Sequence, residues 1–81
     1  MTHADIKTAI FDGLSAIAPE ADLDHLPANA NVRQSLDIDS YDFLNFLIGL
    51  HERLGVEIPE ADYGKLNTLD EMTGYLTARM T

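Results

Sequence analysis

The run from Ser40 to Leu54, SYDFLNFLIGLHERL, constrains the chain most, because it reads as a helix with two apolar stripes. At roughly 100° per residue, Phe43, Phe46, Leu47, Leu50 and Leu54 share one broad face. Tyr41, Leu44 and Ile48 form a second stripe roughly 130° round by the same arithmetic. A surface helix of a small domain has little reason to bury both. The broad face is expected to pack into a core and the second stripe to meet a partner; the competing reading makes Tyr41 and Ile48 scattered surface apolar residues, which are common. Asp39 is a good N-cap, since its carboxylate can accept a bond from an unpaired first-turn N–H. Asp42 adds negative charge at the positive end of the helix dipole, and Gly55 is the expected stop. Ser40 therefore sits at a helix mouth with its hydroxyl facing solvent, a place that also suits a phosphate.

The flanking chain supplies what that helix needs to pack against. Ile6, Ile10, Leu14 and Ile17 recur at spacings of three and four, helped by Ala9 and Phe11. Thr2 and Asp5 start this helix and Pro19 ends it. Gly13 inside it costs about 1 kcal/mol against Ala, so close packing or a bend is expected there. A membrane-lying role for the stripe is disfavoured, because its polar face lacks Lys and Arg. Residues 20–38 form a long connection in which Leu23, Leu26, Val32 and Leu36 act as core pegs, a helical turn falls near residues 22–26, and His25 faces solvent.

After Gly55, Val56-Glu57-Ile58 is extended ahead of Pro59. A very short helix runs from Pro59 to Tyr63, and Leu66 pins the next turn. Thr68 and Glu71 form a capping box for the last helix, whose inner face is Leu69, Met72, Leu76 and Met80. The whole reads as an all-α, small four-helix bundle, three long helices and one short, in a single domain over residues 1–81 with a long loop between helices 1 and 2.

Eighty-one residues are near the lower limit for one self-sufficient core, and with no cysteine there is no disulfide or thiolate metal site to staple it. An apolar content of 46% argues against disorder despite a net charge of −9. That acidity disfavours nucleic acid and suits partners with basic docking surfaces, while its self-repulsion makes the fold pH-sensitive. Met1 to Asp5 lacks the basic and apolar runs of a secretory signal and no stretch is long enough to span a membrane, so a cytoplasmic protein without membrane insertion is expected. Without coiled-coil heptads, a monomer is the default.

Catalytic and metal-binding readings fare poorly. Asp37-x-Asp39 matches the start of an EF-hand, but Tyr41, Asp42 and Ile48 stand where the loop needs an oxygen ligand, Gly and Glu. His3, His25 and His51 lack metal-ligand spacing. Ser40 would need a general base, and His51 lies about 16 Å down the helix. No catalytic residue and no metal site are assigned.

Leu36-Asp37-Ile38-Asp39-Ser40, the later Ile58-Pro59-Glu60 and Leu66-x-Thr68-Leu69 carry a resemblance to the acyl carrier proteins, in the same order of elements and over nearly the whole chain. The resemblance implies that Ser40 is the attachment site of 4′-phosphopantetheine, placed there from coenzyme A by a magnesium-using phosphopantetheinyl transferase. It implies a non-catalytic carrier, in which Asp39 serves as cap and in transferase recognition and an acyl or aminoacyl group rides as a thioester. It also implies docking at Tyr41, Asp42, Leu44, Asn45, Ile48 and Glu52, with a loading ligase and downstream transferases as partners in fatty-acid or related lipid biosynthesis.

This chain also departs from the family pattern. Tyr41 stands where Leu or Met is usual, and Asn45, His51 and Arg53 occupy positions often acidic in fatty-acid carriers, leaving Asp42, Glu52 and Glu57 as the nearby charge. Such changes alter steering and the choice of enzyme. Phe43 and Phe46 narrow the interior in which some carriers shelter a long chain. A specialised carrier is therefore expected. The other reading is an unmodified helical adaptor that binds a protein through Tyr41, Leu44 and Ile48.

Overall fold

In a computed structural model, which describes residues 3–80, three long helices meet around one apolar core. They are α1 (His3–Ile17), α3 (Ser40–Leu54) and α4 (Leu69–Met80), with a one-turn helix α2 (Val32–Ser35) in the connection between α1 and α3. Short 3₁₀ turns occupy Leu23–His25 and Glu60–Lys65. The expected cap at Thr2 lies outside the described residues.

Ile6, Ala9, Ile10 and Leu14 of α1 are buried against Phe43, Phe46, Leu47, Leu50 and Leu54 of α3, so the 3.6-residue stripes face each other. Leu69, Met72 and Leu76 of α4 close the core, and Ile17 and Met80 pack at its edge. The close packing expected at Gly13 is real, because the Phe46 ring occupies the place a side chain would need. Arg53 Nη1 to Asp12 Oδ2, 2.9 Å, also links α3 to α1, but it is an exposed pair worth at most ~1 kcal/mol.

The long connection is anchored twice to the approach to α4. The Val32 N–H donates to the Asn67 carbonyl at 2.8 Å and the Asp70 N–H to the Ala28 carbonyl at 3.0 Å. Val32 is fully buried, whereas Leu23, Leu26 and Leu36 are partly buried pegs. Asn31 caps α2 by accepting from the Gln34 N–H at 3.0 Å. Sequence periodicity does not foresee α2, because one turn is too short to show a period. The short element after Pro59 is a 3₁₀ turn beginning at Glu60, with Pro59 as its extended cap. The last helix does open on Thr68, whose Oγ1 accepts from the Glu71 N–H at 3.0 Å. Glu71 reaches back to the N–H of Asn67 at 3.2 Å, one residue before the usual capping-box donor.

Candidate functional site

Asp37 has a positive φ of 53°, a left-handed conformation that Asp tolerates better than most residues. This turn redirects the chain from α2 into α3, and the Ile38 N–H bonds back to the Arg33 carbonyl at 2.9 Å. Ile38 is buried and anchors the turn. Asp39 follows in extended conformation, and its Oδ1 accepts from the Asp42 N–H at 2.7 Å. Ser40 is then the first residue of α3 and is exposed. Gly55, left-handed at φ 68°, ends the helix by donating its N–H to the His51 carbonyl at 2.9 Å. Both ends fall where local capping chemistry put them.

Among the described residues, the exposed large apolar side chains are Tyr41, Leu44 and Ile48, at 71%, 38% and 44% exposure. They form one stripe on α3, starting beside Ser40. Asn45 and Glu52 are exposed near it, and Asp42 is half-buried. On the opposite face the rings of Phe43 and Phe46 lie 5.8 Å apart, tilted by 39°, with the Arg33 guanidinium 5.6 Å from the Phe43 ring. The bulky pair fills the core side of the helix.

His51 and His25 each have an oxygen within hydrogen-bond reach. The His51 Nδ1 lies 2.8 Å from the Val56 carbonyl oxygen; a carbonyl only accepts, so this nitrogen carries the proton and the ring braces the end of α3. His25 is exposed and its Nδ1 lies 2.6 Å from Asp22 Oδ2. No group of three His, Cys, Asp or Glu among the described residues could hold a metal ion, and no helix among them is long and apolar enough to cross a membrane.

Two features were not legible beforehand. An open groove of about 200 Å³ adjoins the stripe, lined by Leu47, Ile48, His51, Glu57, Ile58 and Tyr63. Below it, Asp62 gathers Lys65, Tyr75 and Arg79. The spacing of four between Tyr75 and Arg79, which places them on one helix face, was the available signal.

The family described as the phosphopantetheine attachment site matches residues 14–76. Acyl carrier proteins of Lactobacillus johnsonii and Lactobacillus acidophilus are 34% and 33% identical over 76 residues, covering 94% of this chain and 94% of theirs. The chain belongs to the acyl carrier protein family. A candidate acyl carrier protein from Anaplasma phagocytophilum, solved in solution, shares the fold at a TM-score of 0.86 and 25% identity, covering all of this chain and 94% of that one. Acyl carrier proteins are non-catalytic, and a phosphopantetheinyl transferase modifies them. The carrier described here accordingly contains a phosphopantetheine attachment domain. Ser40 is exposed at the N-terminal end of α3, where the helix dipole favours negative charge.

Proposed function

We propose that this carrier holds its 4′-phosphopantetheine on Ser40 and presents an acyl or aminoacyl group to enzymes that dock on Tyr41, Leu44 and Ile48. The observation that carries the reading is the exposed Ser40 at the mouth of α3, immediately beside the exposed apolar stripe. In the loading step the Ser40 hydroxyl attacks the pantetheine-side phosphorus of coenzyme A, forming a new phosphodiester bond. The P–O bond to the 3′,5′-ADP portion breaks, and the serine proton passes to a base of the transferase. When bound, the arm supplies the thiol, and hence the thioester, that a chain without cysteine cannot.

Asp39 has two roles in this reading, as cap and as a charge for the transferase to recognise. Asp42, Asn45 and Glu52 flank the stripe and tune partner choice. The apolar stripe supplies contact area, and the surrounding acidity steers basic surfaces towards it. A loading ligase and downstream transferases are the further partners, and the expected setting is the cytoplasm, where coenzyme A and the transferase would meet the chain. The Phe43–Phe46 pair favours a specialised cargo over a long chain sheltered in the core.

The test is modification of the pure protein by a broadly tolerant transferase with coenzyme A and magnesium, followed by intact mass measurement. Gain of one phosphopantetheinyl group is expected. Ser40→Ala should abolish it, while Ser15→Ala and Ser35→Ala, at the chain's other two serines, both exposed, should not. No gain under conditions that modify a control carrier would leave the stripe as the surface of an unmodified adaptor.

A further inference from the structure

A phosphodiester on Ser40 puts a permanent negative charge into surroundings that are already negative. Asp39 precedes the serine, Asp42 lies two residues on and Asp37 three residues back. The helix dipole favours an anion here, but the Asp39 carboxylate already takes the Asp42 N–H at 2.7 Å, and like charges this close repel. A cation within reach of the serine would offset that repulsion.

The chain has five Lys and Arg residues, and three of them are occupied by carboxylates. Arg53 pairs with Asp12, and Lys65 and Arg79 pair with Asp62. Arg53 also stands near the far end of α3, ~20 Å from Ser40 by helical rise. Lys7 is on α1 and lies over the Phe11 ring. Arg33 is different. It is exposed and has no carboxylate partner among the described residues, in a chain with 14 acidic side chains.

Two contacts hold Arg33 near the serine. Its carbonyl accepts the Ile38 N–H at 2.9 Å, which ties α2 to the turn just ahead of Ser40. Its guanidinium lies over the Phe43 ring, 5.6 Å from the centroid. Phe43 is one turn after Ser40, and residues three apart on a helix have Cβ atoms ~5–6 Å apart. A change of side-chain rotamer therefore brings the guanidinium to a phosphate on the serine. Stacking on a ring uses the guanidinium face and leaves its N–H fork open to an anion. The space beside it is open too: Arg33 lines a groove of about 370 Å³ with Asn31, Gln34, Asp37, Ile38 and Asn67.

We propose that Arg33 binds the phosphodiester of a 4′-phosphopantetheine on Ser40, neutralising it and setting the direction in which the arm leaves α3. The inference rests on the proposed attachment at Ser40.

NMR of the protein before and after modification tests it. In wild type, the Arg33 Nε–H resonance should move on modification, while those of Arg53 and Arg79 stay in place. This readout needs no variant, so it stands whatever a substitution does to the fold. The ³¹P resonance of the modified protein should differ between wild type and Arg33→Gln. Arg33→Lys, which keeps the charge without the planar fork, should fall between them. Raising the salt should bring wild type towards Arg33→Gln, because an exposed ion pair is screened. An Arg33 resonance that ignores modification, or a ³¹P resonance unchanged in Arg33→Gln, would overturn the proposal. Failure of the carrier reading would show earlier, as a wild-type protein that gains no mass with the transferase.

Discussion

Phe46 lies against Gly13 so closely that a Cβ on the glycine would stand 2.8 Å from two carbons of its ring. Phe46 is itself buried and flanked by Phe43, so the ring cannot swing out cheaply. Gly13→Ala gains ~1 kcal/mol of helix propensity and loses ~1–3 kcal/mol to overpacking. A net loss of about 1 kcal/mol is expected, a fall of roughly 4–8 °C in Tm for a domain of this size. Thermal unfolding of Gly13→Ala, Phe46→Leu and the double variant checks it. The two substitutions should couple, the smaller side chain relieving the added methyl.

Asp39 separates capping from charge. Asp39→Ala removes the acceptor of the Asp42 N–H and should cost ~1 kcal/mol in denaturant unfolding. Asp39→Asn keeps a good cap and should stay within a few tenths of wild type. If the transferase reads the carboxylate, both variants lose modification rate. If only the cap matters, Asn is modified normally.

The stripe should matter more for binding than for stability. Leu44 and Ile48 are 38% and 44% exposed, so Leu44→Ser and Ile48→Ser should each cost about 1 kcal/mol in unfolding, well below the cost of a fully buried position. Titration against the loading enzyme should show weakened binding in both. Unchanged binding would remove the stripe from the docking surface.

Thr77 Oγ1 is buried without a hydrogen-bond partner. Thr77→Val replaces the hydroxyl by a methyl of similar shape and should raise stability by ~1 kcal/mol. Thr77→Ser, which keeps the hydroxyl and loses the methyl, should lower it. Chemical denaturation of the pair decides the sign.

The cluster around Asp62 has a pH window. The Tyr75 hydroxyl bond first, then Lys65 and Arg79, hold the Asp62 carboxyl below its ordinary value of 3.8 despite its burial. An acid whose folded pKa is lowered stabilises the fold fully above its unfolded pKa, and loses that contribution as pH falls through the folded value. Tyr75 is pushed above its ordinary 10.0 by burial and then by Asp62. Its contribution is present below 10.0 and is lost as pH rises through the higher folded value. The stability difference between wild type and Asp62→Ala should therefore be constant near neutral pH, shrinking below pH 3.8. A difference independent of pH down to full protonation would show that the Asp62 charge does not stabilise the fold.

Some of this protein was determined by the sequence alone. The bounds of α3 follow from Asp39 and Gly55, whose effects act within a few residues. Its two faces follow from a period that neighbours cannot change. Ser40's place at a helix mouth followed from the same local chemistry, as did the opening of α4 at Thr68. Tertiary structure decided the rest. Whether Gly13 marked a bend or a close approach depended on Phe46, thirty-three positions away by numbering and brought to it only by packing of α1 on α3. The Val32 N–H finds its acceptor at the Asn67 carbonyl, thirty-five positions on, a partner that only the packed chain supplies. Asp62 finds its hydrogen-bond donors only where α4 brings Tyr75 and Arg79 within reach. Caps and periods are written into adjacent residues, whereas contacts between distant ones exist only after the core has closed and fixed which faces meet.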